Sequence, residues 1–92
     1  MMIYSVDISK AKKDISKLPM HVRVLFFNWI DDVEHRGLEE VRKTPGYHDE
    51  PLKGKRKGQR SIRLTRAYRA IYVIKKGEVE FAQVEEVNKH DY

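Results

Sequence analysis

The apolar positions change their spacing midway along the chain, and the change divides it into a helical half and a stranded half. Ile3 to Val6 is a short apolar-leading segment expected at a sheet edge, and Asp7 or Ser9 is suited to cap a helix after it. Ile8, Ala11, Ile15 and Leu18 recur at helical spacing, with Lys10, Lys12, Lys13 and Asp14 mostly on the other face. Pro19 breaks this helix and fits the first turn of the next. There Val22, Leu25, Phe26, Trp29, Ile30 and Val33 form a broad apolar stripe, read as core packing. Val24 and Phe27 fall off the stripe and predict that more than one face of this helix is covered, with Phe27 the position open to a partner protein. Gly37 ends or kinks the helix, and Leu38 to Arg42 adds a short turn.

Thr44-Pro45-Gly46 is turn chemistry. Tyr47 to Gln59 reads as a long irregular connection ending in Lys-Gly-Lys-Arg-Lys-Gly. From Arg60 to Thr65 the period becomes two: Ile62 and Leu64 on one face, Ser61, Arg63 and Thr65 on the other, a half-buried strand. Tyr68 to Ile74 is aromatic and β-branched, a central strand. Lys75 to Glu78 is a hairpin turn, and Val79 to Val87 is a last strand whose alternation slips between Phe81 and Val84, the mark of a bulge. The order β-α-α-β-β-β predicts one α+β domain over residues 1–92, a helix hairpin packed on one face of a small antiparallel sheet, with the other face open. Arg63 points to that open face if Ile62 and Leu64 point inward.

Composition narrows the chemistry. Ninety-two residues leave no room for a second core, and nine aromatics among aliphatic clusters suffice for one. The absence of cysteine excludes disulfides, thiolate zinc sites and thiol nucleophiles. The longest apolar run, Val24 to Phe27, is too short to cross a bilayer, and Met-Met-Ile-Tyr-Ser-Val-Asp shows no export signal, so a soluble, cytoplasmic protein with no membrane partner is expected. The formal charge is +5, from 19 basic and 14 acidic side chains. From Pro51 to Gly77 there are ten basic residues (Lys53, Lys55, Arg56, Lys57, Arg60, Arg63, Arg66, Arg69, Lys75 and Lys76) and none acidic. The other segments together are therefore net acidic. An unneutralised block repels itself unless something binds it, which points to nucleic acid or another polyanion.

His21, His35, His48 and His90 are scattered, without paired helical spacing, so no metal is implied; His21 and His35 read as solvated or packing residues. No glycine-rich loop links a strand to a helix, and no cofactor is implied. What remains suits metal-free RNA cleavage: a base for the ribose 2′-hydroxyl, a cation for the phosphorane and an acid for the leaving 5′-oxygen. Histidine carries protons near neutral pH, arginine forks onto phosphate, and tyrosine stacks on a base or donates its hydroxyl. Arg69 begins the central strand and His90 and Tyr92 follow the last one, within reach of each other if the tail folds back.

From Glu50 to Tyr92 the chain resembles the RelE/ParE superfamily of toxins from type II toxin–antitoxin pairs. Glu50-Pro51-Leu52-Lys53-Gly54, the basic loop into Arg60-Ser61-Ile62-Arg63, Ala67 to Tyr72, and the terminal Val87-Asn88-Lys89-His90-Asp91-Tyr92 carry the resemblance. It implies the RelE-like fold and a ribosome-dependent endoribonuclease, an mRNA interferase that cuts in the A site without metal and so inhibits translation. Its partners would be the ribosome, mRNA and a cognate antitoxin, with operator DNA reached only through that antitoxin. An amphipathic antitoxin helix would cover either the basic face or the outer face of the Val24/Phe27 helix. By likeness to the YoeB and HigB branches, Glu50 would be the general base. Lys53 would hold phosphate or assist the base, Arg69 would stabilise the transition state, His90 would donate a proton or partner the base, and Tyr92 would stack or donate. Lys55, Arg56, Lys57, Arg60, Arg63 and Arg66 would bind RNA. Where RelE has strand lysines this chain has Ser61 and Arg63, and arginine does not act as a base at neutral pH; the tail is His-Asp-Tyr rather than His-Tyr. Plain structural roles stand beside these: Glu50 a solvated acid, Arg69 an ion-pair partner of Glu85 or Glu86, the tail a frayed end. Two other functions fit the same fold or charge, a ParE-like DNA gyrase inhibitor and a non-catalytic RNA-binding module.

Overall fold

A computed structural model describes residues 2–89, so the expectations for His90 and Tyr92 fall outside the described residues. Strand β1 (Val6–Asp7) leads into helices α1 (Lys12–Ser16), α2 (Met20–Arg36) and α3 (Leu38–Arg42). Strands β2 (Glu50–Pro51), β3 (Arg60–Arg63), β4 (Tyr68–Lys76) and β5 (Glu80–Lys89) follow, in the sheet order β1-β5-β4-β3-β2. The architecture is the expected α+β arrangement with helices on one face. All pairings are antiparallel except that of β1, which runs parallel to β5.

The helical spacing translates into burial. Ala11, Ile15 and Leu18 of the first helical segment are buried, as are Val22, Phe26, Trp29, Ile30 and Val33 of α2. Trp29 stacks on Phe26 with ring centroids 6.2 Å apart and meets Tyr72 of β4 at 5.4 Å, joining the helix layer to the sheet. Full burial of a side chain of this class contributes about 2–3 kcal/mol. Leu25 departs from the predicted stripe: it lies at its margin and is exposed. Met20, Val24 and Phe27, at 68%, 50% and 39% exposure, form an apolar outer face on α2. Gly37, at φ +86°, turns the chain from α2 into α3; a Cβ there would stand 3.1 Å from the Tyr4 ring.

Four local expectations are corrected. Asp7 caps no helix: its Oδ1 accepts the Ser9 N–H at 2.9 Å in a local turn, and α1 begins only at Lys12 with no side-chain cap. That hydrogen bond holds the Asp7 carboxyl below its usual pKa. The Tyr47–Gln59 connection is not wholly irregular. A 3₁₀ turn at Pro45–Tyr47 leads into it, and it contains strand β2 and a second 3₁₀ turn at Gly54–Arg56. The bulge falls at Glu85 rather than between Phe81 and Val84, because Ile71 pairs with Glu86 while Tyr72 pairs with Val84. Ala82, Val84 and Val87 are therefore the buried set of β5, and Val79 is exposed. Finally, the sheet face away from the helices is partly covered. Arg56 reaches from the β2–β3 loop to Glu86 of β5 (Nη2 to Oε1, 3.2 Å), and Asn88 Nδ2 donates to the same oxygen at 2.7 Å. Beneath that crossing Ser61 and Ile71, register partners, are 3% and 4% exposed.

Helix α1 closes the outer margin of β5. Strand β1 reaches only Ala82 and Gln83. Beyond it, Asp14 Oδ2 accepts the Val87 N–H at 3.1 Å, and Lys10 Nζ lies 3.0 Å from Glu85 Oε2. Burial alone would raise the Glu85 pKa, but the hydrogen bonds from Lys10 and Gln83 outweigh it and the net shift is downward.

Candidate functional site

Strand register decides which side chains meet on the face away from the helices. Glu50 pairs with Ser61, and Arg63 pairs with Arg69. Ile62 and Ala70, between them in register, are fully buried on the helix side. Ser61, Arg63 and Arg69 consequently share the opposite face, and Glu50 joins them from the neighbouring strand. Glu50 and Arg63 are diagonal neighbours, a relation spanning about 7–8 Å in a regular ladder. These four line a cavity of about 120 Å³ with His48, Thr65, Arg66 and Tyr68.

The turn between β3 and β4 brings Arg66 to the rim. Thr65 Oγ1 accepts the N–H groups of Ala67 and Tyr68, each at 3.1 Å, and the Leu64 N–H donates to the Tyr68 carbonyl at 2.9 Å. This tight reversal holds Arg63 and Arg69 as register partners. Like charges directly opposite each other cost stability. Two guanidinium forks beside one hollow are the chemistry that suits an oxyanion such as phosphate.

The opposite wall is set by a residue that faces the other way. The Asp49 side chain is 1% exposed on the helix side of the sheet, where Oδ1 accepts from Arg60 Nε at 2.6 Å and Oδ2 from the Tyr72 hydroxyl at 2.5 Å. Burial first, then the Asp49 carboxylate, push the Tyr72 hydroxyl far above its usual pKa. For Arg60 burial works downward, but the Asp49 hydrogen bond and charge outweigh it and the net shift is upward. The His48 N–H closes the preceding 3₁₀ turn on the Pro45 carbonyl at 3.1 Å, and His48 adopts the left-handed conformation, φ 45° and ψ 47°. Tyr47 ties the same turn to α2 by donating to Asp32 Oδ2 at 2.5 Å. With its two neighbours so anchored, His48 turns to the cavity as Glu50 does.

The residues singled out from sequence separate into groups. Glu50, Arg63, Arg66 and Arg69 come together in the cavity. Lys53, Lys55 and Lys57 are exposed on the β2–β3 loop, outside its lining. Arg56 is engaged by Glu86, and Arg60 lies on the helix side against Asp49, a location that follows from its two-residue spacing to the inward Ile62. His48 and Asp49 were not among the sequence candidates. The available signal was local: an acid flanked by two proton-exchanging side chains at strand spacing, just before Pro51. Among the described residues no group of three or more His, Asp or Glu could hold a metal ion, and no helix is long and apolar enough to cross a membrane.

No protein-family model and no curated protein matches the chain. Solved structures do. The RelBE2 toxin–antitoxin complex of Mycobacterium tuberculosis contains a chain with TM-score 0.68 at 21% identity, covering 96% of this chain and 99% of that one. YafQ from E. coli has TM-score 0.72 at 15% identity, covering 94% and 92%. The archaeal RelE–RelB complex from Pyrococcus horikoshii has TM-score 0.68 at 22% identity, covering 96% of each chain. The fold is thus that of RelE-, YoeB- and YafQ-type proteins over nearly the full chain.

Proposed function

We propose that this RelE-like chain is the toxin of a type II toxin–antitoxin pair, acting in the cytoplasm as a ribosome-dependent endoribonuclease that cleaves mRNA in the A site without a metal. One observation carries the reading: Glu50 stands diagonal to the register pair Arg63 and Arg69 around a single cavity. A carboxylate there takes the ribose 2′ proton, and the guanidinium forks hold the non-bridging oxygens as charge builds on the phosphorane. Lys53, Lys55 and Lys57, exposed on their loop, supply the diffuse attraction that draws in a polyphosphate chain. By resemblance His90 and Tyr92 belong to the same machinery.

A cognate antitoxin is the expected protein partner, as in the toxin–antitoxin and RelE–RelB complexes among the similar structures. The exposed Met20, Val24 and Phe27 face of α2 offers an apolar seat for an amphipathic helix.

Tightly controlled expression followed by mapping of mRNA 5′ ends tests the reading. New ends inside translated codons are the expected result. Stalled replication with intact mRNA would establish gyrase poisoning instead, and harmless expression with intact mRNA would leave a non-catalytic binding module.

A further inference from the structure

We infer that His48 is the general acid of the cavity, protonating the leaving 5′-oxygen while Glu50 removes the 2′ proton. The inference rests on the ribonuclease reading above and adds a residue that the family resemblance does not supply.

Three observations carry it. His48 lines the same cavity as Glu50, Arg63 and Arg69. It sits at φ 45°, a left-handed conformation uncommon outside glycine that histidine tolerates better than most residues, and here the surroundings hold it. The surroundings here are explicit: the Pro45 carbonyl on one side, and on the other Asp49, buried and fastened to both Arg60 and Tyr72. With Asp49 drawn to the helix side, the residues before and after it are both presented to the cavity. Among the described residues, the charged and titratable groups that line the cavity with His48 are Glu50 from β2, Arg63 from β3, Arg66 from the β3–β4 turn, and Tyr68 and Arg69 from β4.

Cleavage needs two proton transfers. The 2′-oxygen forms its bond to phosphorus and surrenders its proton to Glu50. The bond from phosphorus to the 5′-oxygen breaks, and His48 gives that oxygen a proton. The products are a 2′,3′-cyclic phosphate and a 5′-hydroxyl, and water then restores both side chains to their starting states. Imidazole is the side chain suited to this exchange near neutral pH. The acid and the base stand two residues apart on one segment, which Arg60 of β3 and Tyr72 of β4 hold through Asp49.

The test uses the full chain with programmed ribosomes, measuring single-turnover cleavage across pH. His48→Asn keeps a residue that tolerates the left-handed conformation but cannot exchange a proton. It is expected to slow cleavage by about 10²–10⁴-fold and to remove the alkaline limb expected in the wild-type rate profile. His48→Gly also preserves the turn, and added imidazole is expected to restore part of its rate, which a purely structural role would not allow. Wild-type rates and pH profile in His48→Asn, or no imidazole rescue of a slowed His48→Gly, overturn the assignment. Loss of the alkaline limb in His90→Asn but not in His48→Asn transfers the role to the tail and also overturns it. Failure of wild type itself to cleave defeats the ribonuclease reading, and this assignment with it.

Discussion

The two faces of the sheet handle charge in opposite ways within a few residues of one another. On the helix side, Asp49 is buried with both carboxylate oxygens committed, one to Arg60 and one to Tyr72. On the other side Arg63 and Arg69 are placed as register partners of like sign around a hollow. The first arrangement satisfies a buried carboxylate within the fold and serves stability. The second sets two cations side by side at the cavity, an arrangement suited to an anion. Strand alternation lets one short segment do both: Asp49 faces in, Glu50 faces out, and Arg60 and Arg63 divide in the same way on β3.

Substitutions on the two faces should therefore have separable effects. Asp49→Ala leaves Arg60 and the Tyr72 hydroxyl without their acceptor, and breaking such a buried pair costs about 3–5 kcal/mol. For a chain of this size each kcal/mol lowers Tm by about 4–8 °C, so the melting temperature should fall by roughly 12 °C or more. A Tm change of a degree or two would show that the cluster is not the stabilising side of the comparison.

Arg69→Ala addresses the other face. Cleavage should fall by about 10²-fold or more, the scale of losing one transition-state hydrogen-bond donor, with a smaller change in Tm than Asp49→Ala. Ribosome cosedimentation should remain, whereas replacing Lys53, Lys55 and Lys57 together should weaken it and flatten its salt dependence. Equal loss of association in both variants would erase the division between chemistry and attraction.

The smallest effect belongs to Tyr47. Burial, then the hydrogen bond and charge of Asp32, push its hydroxyl up to about 12 from an ordinary 10.0. The folded state holds the neutral phenol. Above pH 10 the unfolded chain releases that proton and the folded chain does not, so stability declines as pH climbs from 10 toward 12. Tyr47→Phe should make that decline shallower in denaturant melts, while Tyr72, shifted in the same direction, maintains the remainder.

Much of this was legible along the chain because burial imposes a period. The α2 stripe of Val22, Phe26, Trp29, Ile30 and Val33 and the β-branched and aromatic run of β4 each carry many residues that agree. Alternation through Ile62 also predicted that Arg63 would face away from the helices. The same alternation places Arg60 beside Ile62, yet the surrounding run of lysines made it look like one more solvent-facing cation. Two-residue strands such as β2 are too short to show a period, and its Glu-Pro pair carries no strand propensity. The bulge at Glu85 lies where β5 meets Asp14 and Lys10, more than seventy residues away in the chain, contacts that no local pattern encodes. His48 and Asp49 were missed for a related reason: the local signal around them is weak, and what distinguishes Asp49, its contact with Arg60 and Tyr72, exists only once the sheet has assembled.

The hydrogen bond from Val87 to Asp14 has a consequence for self-association. An unsatisfied row of main-chain donors invites another molecule to stack against it, and from there filaments grow. Here a carboxylate from the chain's own first helix occupies a donor on that border, so a newly synthesised copy at high concentration carries its own guard against ribbon-like polymerisation.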